Sequence, residues 1–148
     1  MKIIVCVDNQ NGMMFNHRRQ SQDRVLRKRI LELTGGKKLW MNAYSQKQFL
    51  QVNGNMPKEQ EQSGQLGQSG QIQADEAFLE KAGPGEPCFV EDRSVAPFAG
   101  RVERVVLYRW DRAYPADLYW DLSLEGWTLA RREEFPGSSH EIITKEVY

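Results

Sequence analysis

The sequence predicts a mixed α/β fold, a mostly parallel twisted sheet with flanking helices and a C-terminal antiparallel hairpin. Three observations predict it. Short apolar runs at residues 2–7, 38–41, 88–90 and 102–110 alternate with helical patterns, the order that right-handed crossovers impose on a parallel sheet. Two further strand-like runs, residues 127–135 and 141–148, are separated only by turn residues, so they close the chain as a hairpin. The chain has 148 residues, a length that suits one domain with a core large enough to be stable without disulfides or metals.

Each element has its own local warrant. Residues 2–7 are apolar and partly β-branched and read as a buried strand, closed by the turn Asp8-Asn9-Gln10-Asn11-Gly12. Met13, Met14 and Phe15 read as a loop. Ser21 is a candidate N-cap for a helix to about Leu33, with Leu26, Ile30 and Leu33 on one face and Thr34-Gly35-Gly36 as its stop. After the strand at 38–41, Ser45 and Gln48 have capping-box spacing, and Tyr44 and Phe49 the spacing of a hydrophobic staple. Residues 53–71 are dominated by Asn, Gln, Ser and Gly and read as a flexible surface loop. Asp75 caps a third helix over 76–82, stopped by Gly83-Pro84-Gly85. Ser94 to Ala99 reads as a helical turn interrupted by Pro97.

Composition narrows the function classes. No run of 18 apolar residues is present, so no spanning helix is expected. The first eight residues lack the long apolar stretch and small-residue cleavage site of a signal peptide, and two scattered cysteines make no disulfide framework; a cytoplasmic setting is expected. Twenty basic and 20 acidic residues give a net charge of zero, which argues against a whole-surface polyanion binder. The balance is uneven, however. Residues 1–50 carry ten basic against three acidic side chains, and the remainder ten against seventeen. The excess concentrates at His17, Arg18, Arg19, Arg24, Arg27, Lys28 and Arg29, without the interleaved aromatics of a base-stacking surface.

The order of elements and several local strings resemble dihydrofolate reductase. These are Val105–Asp111, Tyr114-Pro115-Ala116-Asp117, Leu124–Leu129, Arg132-Glu133-Glu134, the start Val7-Asp8…Gly12 with the helix that follows, and Lys38–Met41. The likeness covers nearly the whole chain outside residues 53–71. It implies that family's fold and places Asp23 at its acidic residue, which handles the pterin edge of the substrate. The departures fall on the site. The family's proline-tryptophan pair is His17-Arg18, and its phosphate-holding glycine-arginine-x-threonine is Asn42-Ala43-Tyr44-Ser45. Its glycine pair beside the cofactor pyrophosphate is Glu91-Asp92-Arg93, and its fourth-strand threonine is Tyr108. The chain start is also similar to short bacterial proteins that carry the name ribonuclease Z. That enzyme binds two zinc ions through a histidine-x-histidine-x-aspartate-histidine cluster, whereas His17 and His140 stand alone and far apart, so no metal is expected.

Asp23 is the candidate catalytic residue. It shares a helix face with Leu26 and Ile30, where a carboxylate is costly unless paired; there it either holds an amidine-like edge or relays a proton with a raised pKa. In α/β sheets ligands bind outside the carboxyl ends of the strands, which gives a candidate crevice of Met14, Phe15, Trp40, Asn42 and Tyr44. Arg18 and Arg19 are placed for an anionic group. Glu91 and Asp92 either join the site or pair with nearby arginines. Cys6 and Cys88 read as inert core thiols. The expectation is a small-ligand-binding or regulatory protein without normal reductase activity and without a cofactor. Its alternatives are a divergent NADPH-dependent reductase of a pterin-like or other heterocyclic substrate, or an RNA- or protein-binding module acting through the basic helix.

Overall fold

The structure is a computed structural model in which residues 1–50 and 71–148 are described. The loop expected over 53–71 therefore lies outside the described residues except for Gln71, which is buried and donates to the Thr34 hydroxyl.

A seven-stranded sheet forms the frame. In chain order the elements are β1 (Lys2–Val7), β2 (Gly12–Phe15), β3 (Arg18–Arg19), α1 (Arg24–Thr34), β4 (Leu39–Met41), α2 (Ala43–Leu50), β5 (Ile72–Ala74), α3 (Phe78–Lys81), β6 (Pro87–Val90), a 3-10 turn (Ala96–Arg101), β7 (Arg104–Arg109), β8 (Leu118–Tyr119), β9 (Arg131–Phe135) and β10 (Ile143–Val147). The sheet order is β5-β4-β6-β1-β7-β10-β9. β1 lies parallel between β6 and β7, and β4 is parallel to both β5 and β6. β10 runs antiparallel to β7 and to β9, the expected closing hairpin.

Alternation along the central strands divides the core. Ile3, Val5 and Val7 join Cys88, Val90, Val105 and Leu107 on one face, under Phe78, Leu79 and Trp120. Ile4, Phe89, Val106 and Tyr108 face the other way, against Leu26 and Ile30 of α1 and Phe49 of α2. Both faces are covered, as a parallel sheet requires, because unpartnered apolar strands would face water. Among the described residues no helix is long and apolar enough to cross a membrane.

Several local expectations are corrected. Asp23, not Ser21, caps α1: its carboxylate accepts from Val25 N and Leu26 N, a stronger acceptor two residues nearer the helix. Gly35 closes α1 at φ +54°, as the Gly35-Gly36 stop implies. Leu33 of the predicted stripe is 43% exposed. Met13 and Met14 are not in a loop but in β2, which pairs with β3 and with β8 about a hundred residues on, a pairing no local pattern reveals. The capping box at Ser45 does not form, because Asn42 caps α2 by accepting from Ser45 N at 2.8 Å and the serine hydroxyl turns to Glu91. The staple is absent too: Tyr44 is exposed, while Phe49 packs edge-on to Phe89. Pro97 lies at the start of the 3-10 turn, where its missing N–H costs nothing, so it interrupts nothing. The strand expected from Trp127 pairs only from Arg131, after a turn at Gly126 with φ +84°.

Candidate functional site

The carboxyl ends of β4 and β6 and the turn between β2 and β3 meet in a crevice, and charged side chains fill its floor. Glu91 follows directly on β6. It accepts from Arg19 Nε at 2.9 Å and Nη2 at 3.0 Å, from Ser45 Oγ at 2.7 Å and from Gln48 Nε2 at 3.3 Å. The Arg19 guanidinium also lies 4.4 Å from the Tyr44 ring centroid. Burial opposes the charge on Arg19, but the hydrogen bonds and charge of Glu91 outweigh it and hold the group above its ordinary range. A two-pronged, partly desolvated pair of this kind is stronger than a surface ion pair.

The start of α2 is equally occupied. Asn42 is buried; its Oδ1 caps the helix and its Nδ2 donates to Asp92 Oδ2 at 2.7 Å. Arg93 holds the same carboxylate through Nε at 2.8 Å and Nη2 at 3.1 Å. Ala43 N donates to Glu76 Oε2 at 3.0 Å, so a carboxylate sits on the first free amide of the helix.

Above this floor lies a cleft of about 470 Å³ lined by Met14, His17, Tyr44, Asp92, Asp117 and Leu118. Asn16 and His17 adopt φ +52° and +62°, and Asn16 N donates to Asp117 Oδ2 at 3.1 Å, which ties this tight turn to the β8 side of the cleft. Of the residues expected in the crevice, the lining unites Met14, Tyr44 and Asp92, while Asn42, Arg19 and Glu91 form the polar network beneath them. Phe15 and Arg18 are exposed outside the lining. Trp40 is buried on a core face, its indole donating to Glu86 Oε1 at 3.0 Å. Of the basic helix residues, Arg29 lies 3.8 Å from the Phe135 ring centroid and Arg27 donates to Gln22.

Asp23 stands in a second cluster. Besides the two amides of its own helix, its carboxylate accepts from Ser138 N at 3.0 Å, Ser139 N at 2.8 Å, Ser139 Oγ at 3.2 Å and His140 Nδ1 at 3.1 Å. Burial alone would raise its pKa, but these donors outweigh burial and hold it well below the ordinary carboxylate range. The raised pKa expected from its apolar face is therefore corrected: the loop between β9 and β10 brings donors that the helix pattern does not contain. On the far side of the ring, His140 Nε2 meets Ser21 Oγ at 2.9 Å and Tyr114 Oη at 3.3 Å, and the imidazole stacks on Trp110 at 4.6 Å between centroids. Gly137 is required here, since a Cβ at this position would collide with the Asp23 carboxylate.

Sequence reasoning missed Asp117, Leu118, Ser21 and His140 as site residues. The only available signal for the last two was Ser21-x-Asp23 before a helix, and nothing in the sequence joins it to a histidine 117 residues beyond Asp23. Burial pushes the Cys88 thiol up to about 12 and raises that of Cys6 as well, so neither is a nucleophile near neutral pH. Among the described residues no group of three His, Cys, Asp or Glu side chains is placed to hold a metal ion.

Comparison with solved structures gives the fold its name. A dihydrofolate reductase from Enterococcus faecalis, solved in complex with NADP(H) and RAB-propyl, superposes with a TM-score of 0.60 over 99% of this chain and 94% of its own, at 10% sequence identity. At that identity the likeness shows the fold alone. The chain therefore has a dihydrofolate reductase-like fold. No protein-family model matches the sequence, and no curated protein matches it.

Proposed function

We propose that this chain is an intracellular small-ligand-binding protein that keeps the dihydrofolate reductase-like frame without normal reductase activity. The reading is supported by carboxylates standing where the family pattern puts the cofactor phosphates. The similar solved reductase is a complex with NADP(H). By the family pattern its phosphates belong at the start of the second helix and beside the backbone after the third buried strand. In this chain Glu76 already sits on Ala43 N at the first place. Glu91 and Asp92, with their arginine partners, take up the second. A phosphate there would have to displace Glu76 from Ala43 N and break into the Glu91–Arg19 and Asp92–Arg93 pairs, whose partners are already matched. The residues present do not fit the dinucleotide.

The cleft itself supports the ligand class. Met14 and Leu118 give it apolar walls and Tyr44 an aromatic one; Asp117, held only by a backbone amide, supplies a carboxylate, and Asp92, held by Arg93 and Asn42, a second. Arg19, which the sequence offers to an anion, is committed to Glu91. A small flat heterocycle bearing N–H donors or positive charge fits this lining better than an anion. Thermal unfolding with millimolar 2,4-diaminopyrimidine, folic acid or NADPH tests the reading. The expected result is a higher Tm with the diaminopyrimidine, reduced in Asp92→Asn, and none with NADPH. Stabilisation by NADPH alone would refute it.

A further inference from the structure

Ser21, His140 and Asp23 meet in the order of a hydrolytic triad, away from the cleft. Ser21 Oγ lies 2.9 Å from His140 Nε2, and His140 Nδ1 lies 3.1 Å from Asp23 Oδ2. The proton positions follow from the neighbours. Asp23 accepts from four backbone amides and the Ser139 hydroxyl, so it is an acceptor throughout, and His140 Nδ1 must carry the proton that faces it. That tautomer leaves a lone pair on Nε2, pointed at two hydroxyls, Ser21 and Tyr114. The ring cannot drift, because it is buried and stacked on Trp110. Ser21 is only half-buried, and its neighbours Gln22, Ser138 and Ser139 are exposed, so the serine borders solvent.

We propose that Ser21 is a nucleophile with His140 as its general base, giving the chain an acyl-transfer activity toward small activated esters. Asp23 is the positioning residue that fixes the tautomer, and the Tyr114 hydroxyl, beside the same nitrogen, is the donor available to the developing oxyanion. In the first step Ser21 Oγ bonds to the ester carbonyl carbon as its proton passes to His140 Nε2. The tetrahedral adduct collapses, the carbon–oxygen bond to the leaving group breaks, and the leaving alkoxide or phenoxide takes the proton from His140. Water then adds to the acyl-serine, its proton going to Nε2. Ser21 Oγ leaves with that proton, and the free acid is released.

The test is labelling of the intact chain with an alkyl fluorophosphonate, with the modified peptide mapped by mass spectrometry, alongside release of p-nitrophenol from p-nitrophenyl acetate. One phosphonyl group on Ser21, with fluoride lost, is expected, and none in Ser21→Ala, which keeps the His140–Asp23 and His140–Tyr114 contacts and so retains the fold. His140→Gln should slow labelling by roughly 100-fold or more, the scale of a lost general base. No label on Ser21 after prolonged exposure to millimolar probe, or equal nitrophenol release from wild type and Ser21→Ala, would overturn the proposal whether or not the His140 variant folds.

Discussion

At Asp23 one carboxylate closes the amide end of α1 and the loop between β9 and β10 together. Replacing it by alanine removes a helix cap and leaves buried donors unmatched, an expected loss of about 2–4 kcal/mol by urea unfolding. The sign of its pH dependence follows from its depressed pKa. Its contribution is fully present above the unfolded value of about 3.9 and is lost as pH falls from there toward the folded value. Asp23→Asn should therefore lose less stability than wild type between pH 6 and pH 3, read as the difference in Tm. Gly137→Ala should cost about 1–3 kcal/mol, because the added methyl meets both the Asp23 carboxylate and Ile143 Cδ1 at 2.9 Å. The importance of Asp23 was legible, since an acid on an apolar face demands partners. The partners were not, because Ser138, Ser139 and His140 arrive through a fold-level contact.

The second helix shows how elements compete for polar partners. Ser45 and Gln48 have the spacing of a capping box, yet both side chains turn to Glu91, and Asn42 caps in their place. In a capping box both side chains would accept from helix N–H groups; here both donate to a largely desolvated carboxylate, a charge-assisted contact that prevails over the local motif. Glu91→Gln should weaken this network and leave Arg19 without its counter-charge, at an expected cost of about 1–3 kcal/mol in chemical unfolding. Similar logic explains the small sheet of β2, β3 and β8. Met14 is buried where Leu118 returns to pair with it, and Met13, between the paired residues Gly12 and Met14, is buried in the core. Two- to four-residue strands leave too little sequence for periodicity to show.

For the whole molecule, the parallel frame and closing hairpin were legible because β1, β4, β6 and β7 are apolar runs of strand length, separated by helical patterns and turn residues. The uneven charge is resolved in the fold. Arg19 from the basic part meets Glu91 from the acidic part, the amino terminus meets Glu103 at 2.6 Å, and Arg29 covers Phe135. Neutrality is thus partly built from pairs that join the two halves of the chain. A cleft lies at the strand ends where the sequence rule points, but its contents turn on which ion pairs form there, and that choice depends on distances that only the folded chain supplies. The proposed function rests on carboxylates standing where the resemblance puts the cofactor phosphates. Calorimetric titration of the protein with NADPH tests it most directly. No saturable heat is expected up to millimolar NADPH; saturable binding at micromolar concentration would refute the proposed function.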